Sequence, residues 1–228
     1  MRNTMRYAVV VAALCAIAAP AFADILPQVG DKMYFTGYMN GQQGGSLLAN
    51  PTAGSNFTPF RSFCVEIEEV VWVGGGSNFQ YEISSIGMQT VNGGKTLTSQ
   101  AAWLYSQYRT NSLNAYNDGQ LADRNALQYG IWNAMGYTDT ELLAHFGSGF
   151  QSAIDSYGTR SWAGDFAASD WDGVGNVRIA NMVWGNTHQG QDPGCNAQDQ
   201  LILVPVPGAA LLGVVGLGIV AHLKRRFS

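Results

Sequence analysis

Cys64 and Gln128 are the side chains of this 228-residue chain whose meeting would do covalent chemistry. A thiolate set against a carboxamide carbon displaces ammonia and leaves a thioester, an acyl group that an amine can later take. Cys64 lies in Arg61-Ser62-Phe63-Cys64-Val65-Glu66, which reads as a strand whose alternate residues face opposite ways. Gln128 shares a helical face with Ile131, Trp132 and Met135, at i, i+3, i+4 and i+7, so its carboxamide is expected to point into the core. An unpartnered buried carboxamide costs about 1–3 kcal/mol, and a hydrogen bond to main chain would compensate it without any covalent chemistry. Phe63 and Trp132 are the aromatic side chains placed to keep water from an acyl group at this pair.

A second pairing competes for the same thiol. Beyond Cys15, which sits in an apolar leader, the chain holds one more cysteine, Cys195, in Asp192-Pro193-Gly194-Cys195. In an oxidising compartment two cysteines usually pair, and a Cys64–Cys195 disulfide would close a loop of about 130 residues and stabilise the fold by several kcal/mol. That pairing explains both cysteines and leaves Gln128 unexplained. The thioester explains Cys64 and Gln128 and leaves Cys195 free or paired between molecules. Both readings stand at this level.

Three stretches must position these residues. Residues 31–88 read as β, with Met33 to Tyr38, Phe60 to Trp72 and Phe79 to Ile86 as strands and Gly41 to Ser55 as a long loop. Residues 97–160 read as helical. In the first helix Ala101, Leu104, Tyr105 and Tyr108 recur at helical spacing after a cap at Thr98 or Ser99, and the second runs from Asp123 to just before Gly136. Thr140 to Phe146 and Phe150 to Tyr157 make two shorter helices. Residues 174–204 return to β, with Val177 to Val183 and Leu201 to Val204 as strands. The expected fold is α+β, a β-sandwich or barrel with a helical insertion, forming one domain over residues 24–203.

The two ends carry targeting signals. Arg2 and Arg6, an apolar run from Ala8 to Ala18, and Ala21-Phe22-Ala23 form a signal peptide over residues 1–23, cleaved after Ala23. Residues 204–228 hold Val204-Pro205-Val206-Pro207-Gly208, an apolar helix to Leu223, and Lys224-Arg225-Arg226. The sixteen residues Gly208 to Leu223 reach about 24 Å, short of a hydrocarbon core of roughly 30 Å, and describe a weak anchor held in the membrane at least transiently. The cations behind it belong on the cytoplasmic side, which leaves the domain outside the cytosol. Setting aside Arg2, Arg6, Lys224, Arg225 and Arg226 leaves 7 of the 12 basic residues against 16 acidic ones, a net charge of −9 that argues against nucleic acid as a partner.

The tail resembles the PEP-CTERM sorting signal of Gram-negative bacteria that make extracellular polysaccharide, in its V-P-x-P-G form with Val206 in place of Glu. That resemblance implies processing by an exosortase, contact with the export machinery and delivery to the cell surface. Phe63-Cys64-Val65-Glu66 and Leu127-Gln128-Tyr129-Gly130-Ile131-Trp132 resemble the two signatures of bacterial thioester domains of surface adhesins, F-C-[IV]-[ED] and Φ-Q-x-A-I-W, with Gly130 where the motif has Ala. Ala197-Gln198-Asp199-Gln200-Leu201 is similar to the closing segment of PEP-CTERM proteins bearing this domain. The resemblance implies Cys64 as nucleophile and leaving group, Gln128 as acyl donor, and attachment to an amine-bearing surface protein. The alternative is a non-reactive structural or exopolysaccharide-binding surface protein held by Cys64–Cys195.

Other chemistry finds little support. Asp170-Trp171-Asp172-Gly173-Val174-Gly175-Asn176 has the oxygens of a calcium loop but lacks its later ligands, and reads as a turn. Glu66 and Glu68 read as a solvated strand edge beside Cys64. His145 and His188 lie in no hydrolase or zinc motif, so no cofactor, no metal and no turnover of a soluble substrate are expected.

Overall fold

The computed structural model describes residues 25–37, 46–69, 71–73, 79–187 and 192–204. The signal peptide, with its cleavage residues Ala21 and Ala23, lies outside them, as do Pro205, Pro207, Gly208, Lys224, Arg225 and Arg226 of the tail. Among the described residues no helix is long and apolar enough to cross a membrane.

Six antiparallel strands form one sheet in the spatial order β3-β2-β1-β4-β5-β6, where β1 is Lys32–Thr36, β2 Leu47–Pro51, β3 Phe60–Ser62, β4 Tyr81–Gly87, β5 Val177–Trp184 and β6 Asn196–Leu203. The two edge strands meet. Beyond β3 the chain stays extended, Leu201 N–H donates to Phe63 O at 3.0 Å, and Val65 N–H donates to Asp199 O at 3.1 Å. Cys64 stands opposite Gln200 between these bonds. Of the two arrangements expected, the hydrogen bonding follows the closed one: a barrel whose last seam is Phe63–Val65 against Asp199–Leu201. Closure removes the exposed edges that an open sheet would leave.

Two strand assignments differ from the sequence pattern. Leu47–Pro51 pairs with β1 through Met33↔Pro51 to Thr36↔Leu48, although Gly and Asn around it had marked the region as a loop. The strand expected over Phe60 to Trp72 ends at Ser62, continues only as the seam, and bends at Ile67 to Glu69. Just before this bend Glu66 is buried instead of lying on a solvated edge.

The helical insertion lies between β4 and β5. Helix α1 (Ser99–Arg109) starts at Thr98, whose side chain accepts from Ala101 N–H, a cap that satisfies one orphan donor of the first turn. Helix α2 (Leu121–Ala134) is buried along most of its length and packs against α1 and α4 (Gln151–Gly158). Between them, α3 (Asp139–Phe146) opens with a capping box of Thr138 and Glu141. A Cβ at Gly130 of α2 would run into the Tyr157 ring of α4, whose Cδ2 lies 3.0 Å away. The glycine lets these two helices approach closely.

Candidate functional site

Cys64 and Gln128, 64 residues apart in sequence, meet in the barrel seam. In an antiparallel ladder a residue that makes no bonds to one neighbour points its N–H and C=O the other way. Phe63 and Val65 carry the bonds to β6, so the main-chain groups of Cys64 face away from β6 and toward α2. Gln128 meets them there. Cys64 N–H donates to Gln128 Oε1 at 3.1 Å, and Gln128 Nε2 donates to Cys64 O at 2.8 Å. The carboxamide imitates the edge of another strand, and both residues are buried, Gln128 completely and Cys64 to within 2%. The main-chain compensation weighed for Gln128 is therefore present, and its partner is Cys64 itself.

The thiol lies among amides and carboxyls. Gln200 Nε2 donates to Cys64 Sγ at 3.2 Å. Burial pushes the thiol up to about 12; the hydrogen bond from Gln200 pulls it down and the negative charge of Glu66 pushes it up. Behind it, Glu66 accepts from Asp199 N–H at 2.9 Å, while Gln198 Nε2 donates to Glu66 O at 2.6 Å. Asp199 accepts from Met182 N–H at 2.9 Å and Val91 N–H at 2.8 Å, fastening the bulge between β5 and β6 to the loop after β4. Burial pushes Asp199 up to about 7 despite those two donors. Glu66 is raised by burial and then by the charge of Asp199, and Glu69 is raised by burial. Oε2 of Glu66 and Oε2 of Glu69 are buried without a donor. A proton held between these carboxyls would satisfy both oxygens. The acids were visible in the sequence; their burial was not, because it comes from the bend that ends the seam.

The aromatics assigned to shielding lie nearby in different settings. Phe63 packs edge-on against Tyr108 with centroids 5.0 Å apart, and Trp132 stacks on Phe146 at 4.8 Å and leans on Phe150. Cys195 stands apart. It is an exposed free thiol just before β6, and Cys64 is a buried free thiol. Cys195 precedes Gln200, the residue facing Cys64, by five positions, roughly 16 Å of extended chain, whereas a disulfide spans at most about 7 Å between Cα atoms. The Asp170 to Asn176 segment is a turn closed on itself, with Trp171 Nε1 donating to Gly173 O at 2.8 Å. His145 packs on Phe146, and His188 lies outside the described residues. A cavity of about 480 Å³ opens beside Tyr108 and is lined by Arg61, Arg109, Tyr116, Asn117 and Asp118 among others.

No protein-family model matches the chain, and no curated protein matches it. Among solved structures it is similar to the N-terminal thioester domain of fibronectin-binding protein SfbI from Streptococcus pyogenes, at 11% identity over 82% of this chain and 100% of that one, with a TM-score of 0.42.

Proposed function

We propose that this chain is an exported bacterial surface protein whose Cys64 and Gln128 join in an internal thioester that captures an amine on a partner. The observation that carries the reading is the seating of the Gln128 carboxamide on the main chain of Cys64 in a buried seam. In bond formation Sγ attacks Cδ of Gln128, the Cδ–Nε2 bond breaks, and the thiol proton leaves with ammonia. A partner's amine later adds to Cδ, the Cδ–Sγ bond breaks, and an amide to the partner replaces the thioester. Each molecule reacts once, so the chain is an adhesion or matrix protein and not an enzyme, and no cofactor takes part. Its signal peptide directs export, and its tail engages an exosortase after transient membrane anchoring.

The intact mass of the secreted protein, purified without reductant or amine buffer, tests this. A deficit of about 17 Da, one ammonia, abolished by Cys64→Ala and by Gln128→Ala, is the expected result. An unmodified mass sinks the thioester, and a deficit of about 2 Da points to a disulfide instead.

A second reading draws on the cavity beside Tyr108. Its tyrosine faces, Arg109 and Asn117 suit a sugar ring, as in a non-reactive exopolysaccharide-binding protein. Retained glycan binding by Cys64→Ala would favour this reading, and absence of binding to any glycan would count against it.

A further inference from the structure

Gln200 faces Cys64 across the seam and is almost fully buried. Its Nε2 lies 3.2 Å from Cys64 Sγ and 3.2 Å from Gln198 O. Two acceptors on one side fix which end of the amide is nitrogen, since a carbonyl oxygen turned toward Gln198 O would find no donor there. The other end, Oε1, is buried without any partner. A buried acceptor left unpaired costs about 1–3 kcal/mol, so packing alone would favour an apolar side chain of the same length at this position. The amide is accounted for by what its N–H groups do, and one of them points at the sulfur.

We propose that Gln200 is a catalytic residue of the Cys64–Gln128 site, donating a hydrogen bond to the sulfur as charge develops on it; the proposal rests on the thioester reading above. When the thioester forms, the S–H bond breaks, Sγ bonds to Cδ of Gln128, and ammonia departs with the thiol's proton. When an amine takes the acyl group, its nitrogen bonds to Cδ, and the electron pair of the Cδ–Sγ bond goes to sulfur. The proton lost by the amine then returns to the thiol. Negative charge peaks on Sγ in both directions, in a seam closed to water and beside the carboxyls of Glu66, Glu69 and Asp199. A donor already aimed at the place where charge appears lowers the barrier without reorganising. Burial makes the thiolate of Cys64 costly, and the Gln200 bond offsets part of that cost. The donor thereby makes the sulfur a better leaving group without exposing it.

The secreted full chain and its Gln200→Met variant are compared by circular dichroism, thermal melting and intact mass during reaction with methylamine. Gln200→Met keeps the length of the side chain and removes both the donor and the orphaned oxygen. The expected result is a melting temperature close to that of wild type with aminolysis slowed at least about ten-fold. A folded variant that never loses ammonia supports the role as well, because formation passes through the same charged sulfur. Aminolysis within about two-fold of wild type overturns it. If the wild-type chain itself lacks the ammonia deficit, the thioester reading fails, a different result from equal rates in two chains that both carry the bond. Should Gln200→Met not fold, Gln200→Glu serves instead. Its carboxyl donates only while protonated, so its aminolysis rate is expected to level off once pH passes the ionisation of that carboxyl, whereas the wild-type rate keeps rising with the free amine. Parallel profiles for the two chains would refute the donor role.

Discussion

The two sides of the seam strand treat their polar atoms differently. Toward α2, both ends of the Gln128 carboxamide are paired, and with them the N–H and C=O of Cys64. Toward the acids and β6, Oε1 of Gln200, Oε2 of Glu66 and Oε2 of Glu69 are buried without donors. A satisfied pair positions its members and stabilises the fold, while unsatisfied atoms cost stability and call for an explanation. The side toward α2 thus holds the Gln128 carboxamide in place, and the other side sets the Gln200 amide against the sulfur. Nothing about residue type separates them, since both sides present a glutamine to Cys64.

The largest test of this asymmetry exchanges one glutamine at a time. Gln128→Leu strips partners from two buried main-chain groups and is expected to destabilise the protein by about 3 kcal/mol or more in urea unfolding. Gln200→Met strips a donor from Gln198 O but removes the orphaned Oε1, so the two offset and the net change is expected to stay within about 1 kcal/mol. Equal effects for the two would erase the distinction between the sides.

Next in size is the pH dependence of stability. Glu66 and Asp199 are raised in the folded protein from ordinary values of 4.5 and 3.8, so their protonated forms favour folding. Their contribution is complete below those values and is lost as pH rises, for Asp199 through about 7. The exposed Glu141 works in the opposite sense, because its hydrogen bonds to Thr138 hold its carboxyl below the ordinary carboxylate range, and that contribution is lost as pH falls through its folded value. Stability is therefore expected to peak on the acid side of neutrality and to decline toward pH 8. In Glu66→Gln an amide N–H replaces the shared proton, and the decline should shrink by an amount on the order of 1 kcal/mol. A wild-type curve that climbs between pH 5 and pH 8 would show that the carboxyls hold no proton.

A smaller effect tests the α2 side through its packing. Gly130→Ala gains at most about 1 kcal/mol of helix propensity. Against this, the new Cβ meets the Tyr157 ring, and overpacking of that kind costs about 1–3 kcal/mol. The net expectation is a loss of about 1 kcal/mol, read from the urea midpoint. A gain in stability would mean that α4 yields easily and that Gln128 is held less firmly than its hydrogen bonds suggest.

Much of this arrangement was legible in the sequence, and the gaps have physical causes. Periodicity located the helices within two residues at their first turns, because Thr98 and Thr138 are side-chain caps and the apolar spacing is regular. The same periodicity placed Gln128 inward. β2 was missed because Asn50 and Pro51 end a strand whose pairing with β1 is entirely non-local. β6 begins at Asn196, five residues before the apolar run that announced it, since Gln198, Asp199 and Gln200 are buried polar residues that hydrophobic pattern cannot count. Those residues form half the candidate site. Burial forced by ring closure leaves no periodic trace, so the side toward Gln128 was readable in the hydrophobic pattern, while the segment of Gln200 stood out only by its resemblance to a closing motif and without a place in the site.

The smallest expected effect separates the two fates proposed for Cys64. If Cys64 and Cys195 were joined, removing Cys195 would release a loop of about 130 residues and cost about 4–5 kcal/mol on the chain-entropy estimate. In the structure Cys195 is an exposed thiol at the start of β6, and Cys64 is engaged by Gln200 on its sulfur and by Gln128 on its main chain. Joining them would drag the seam along β6 and break Leu201 N–H to Phe63 O and Val65 N–H to Asp199 O, the bonds that close the barrel. Cys195→Ser is therefore expected to change stability by less than about 0.5 kcal/mol, as an exposed substitution does, and to leave any ammonia deficit in the intact mass untouched. A loss of several kcal/mol from this one exchange would reverse the assignment, leaving Gln128 as a structural partner of the seam and Cys64 as half of a crosslink.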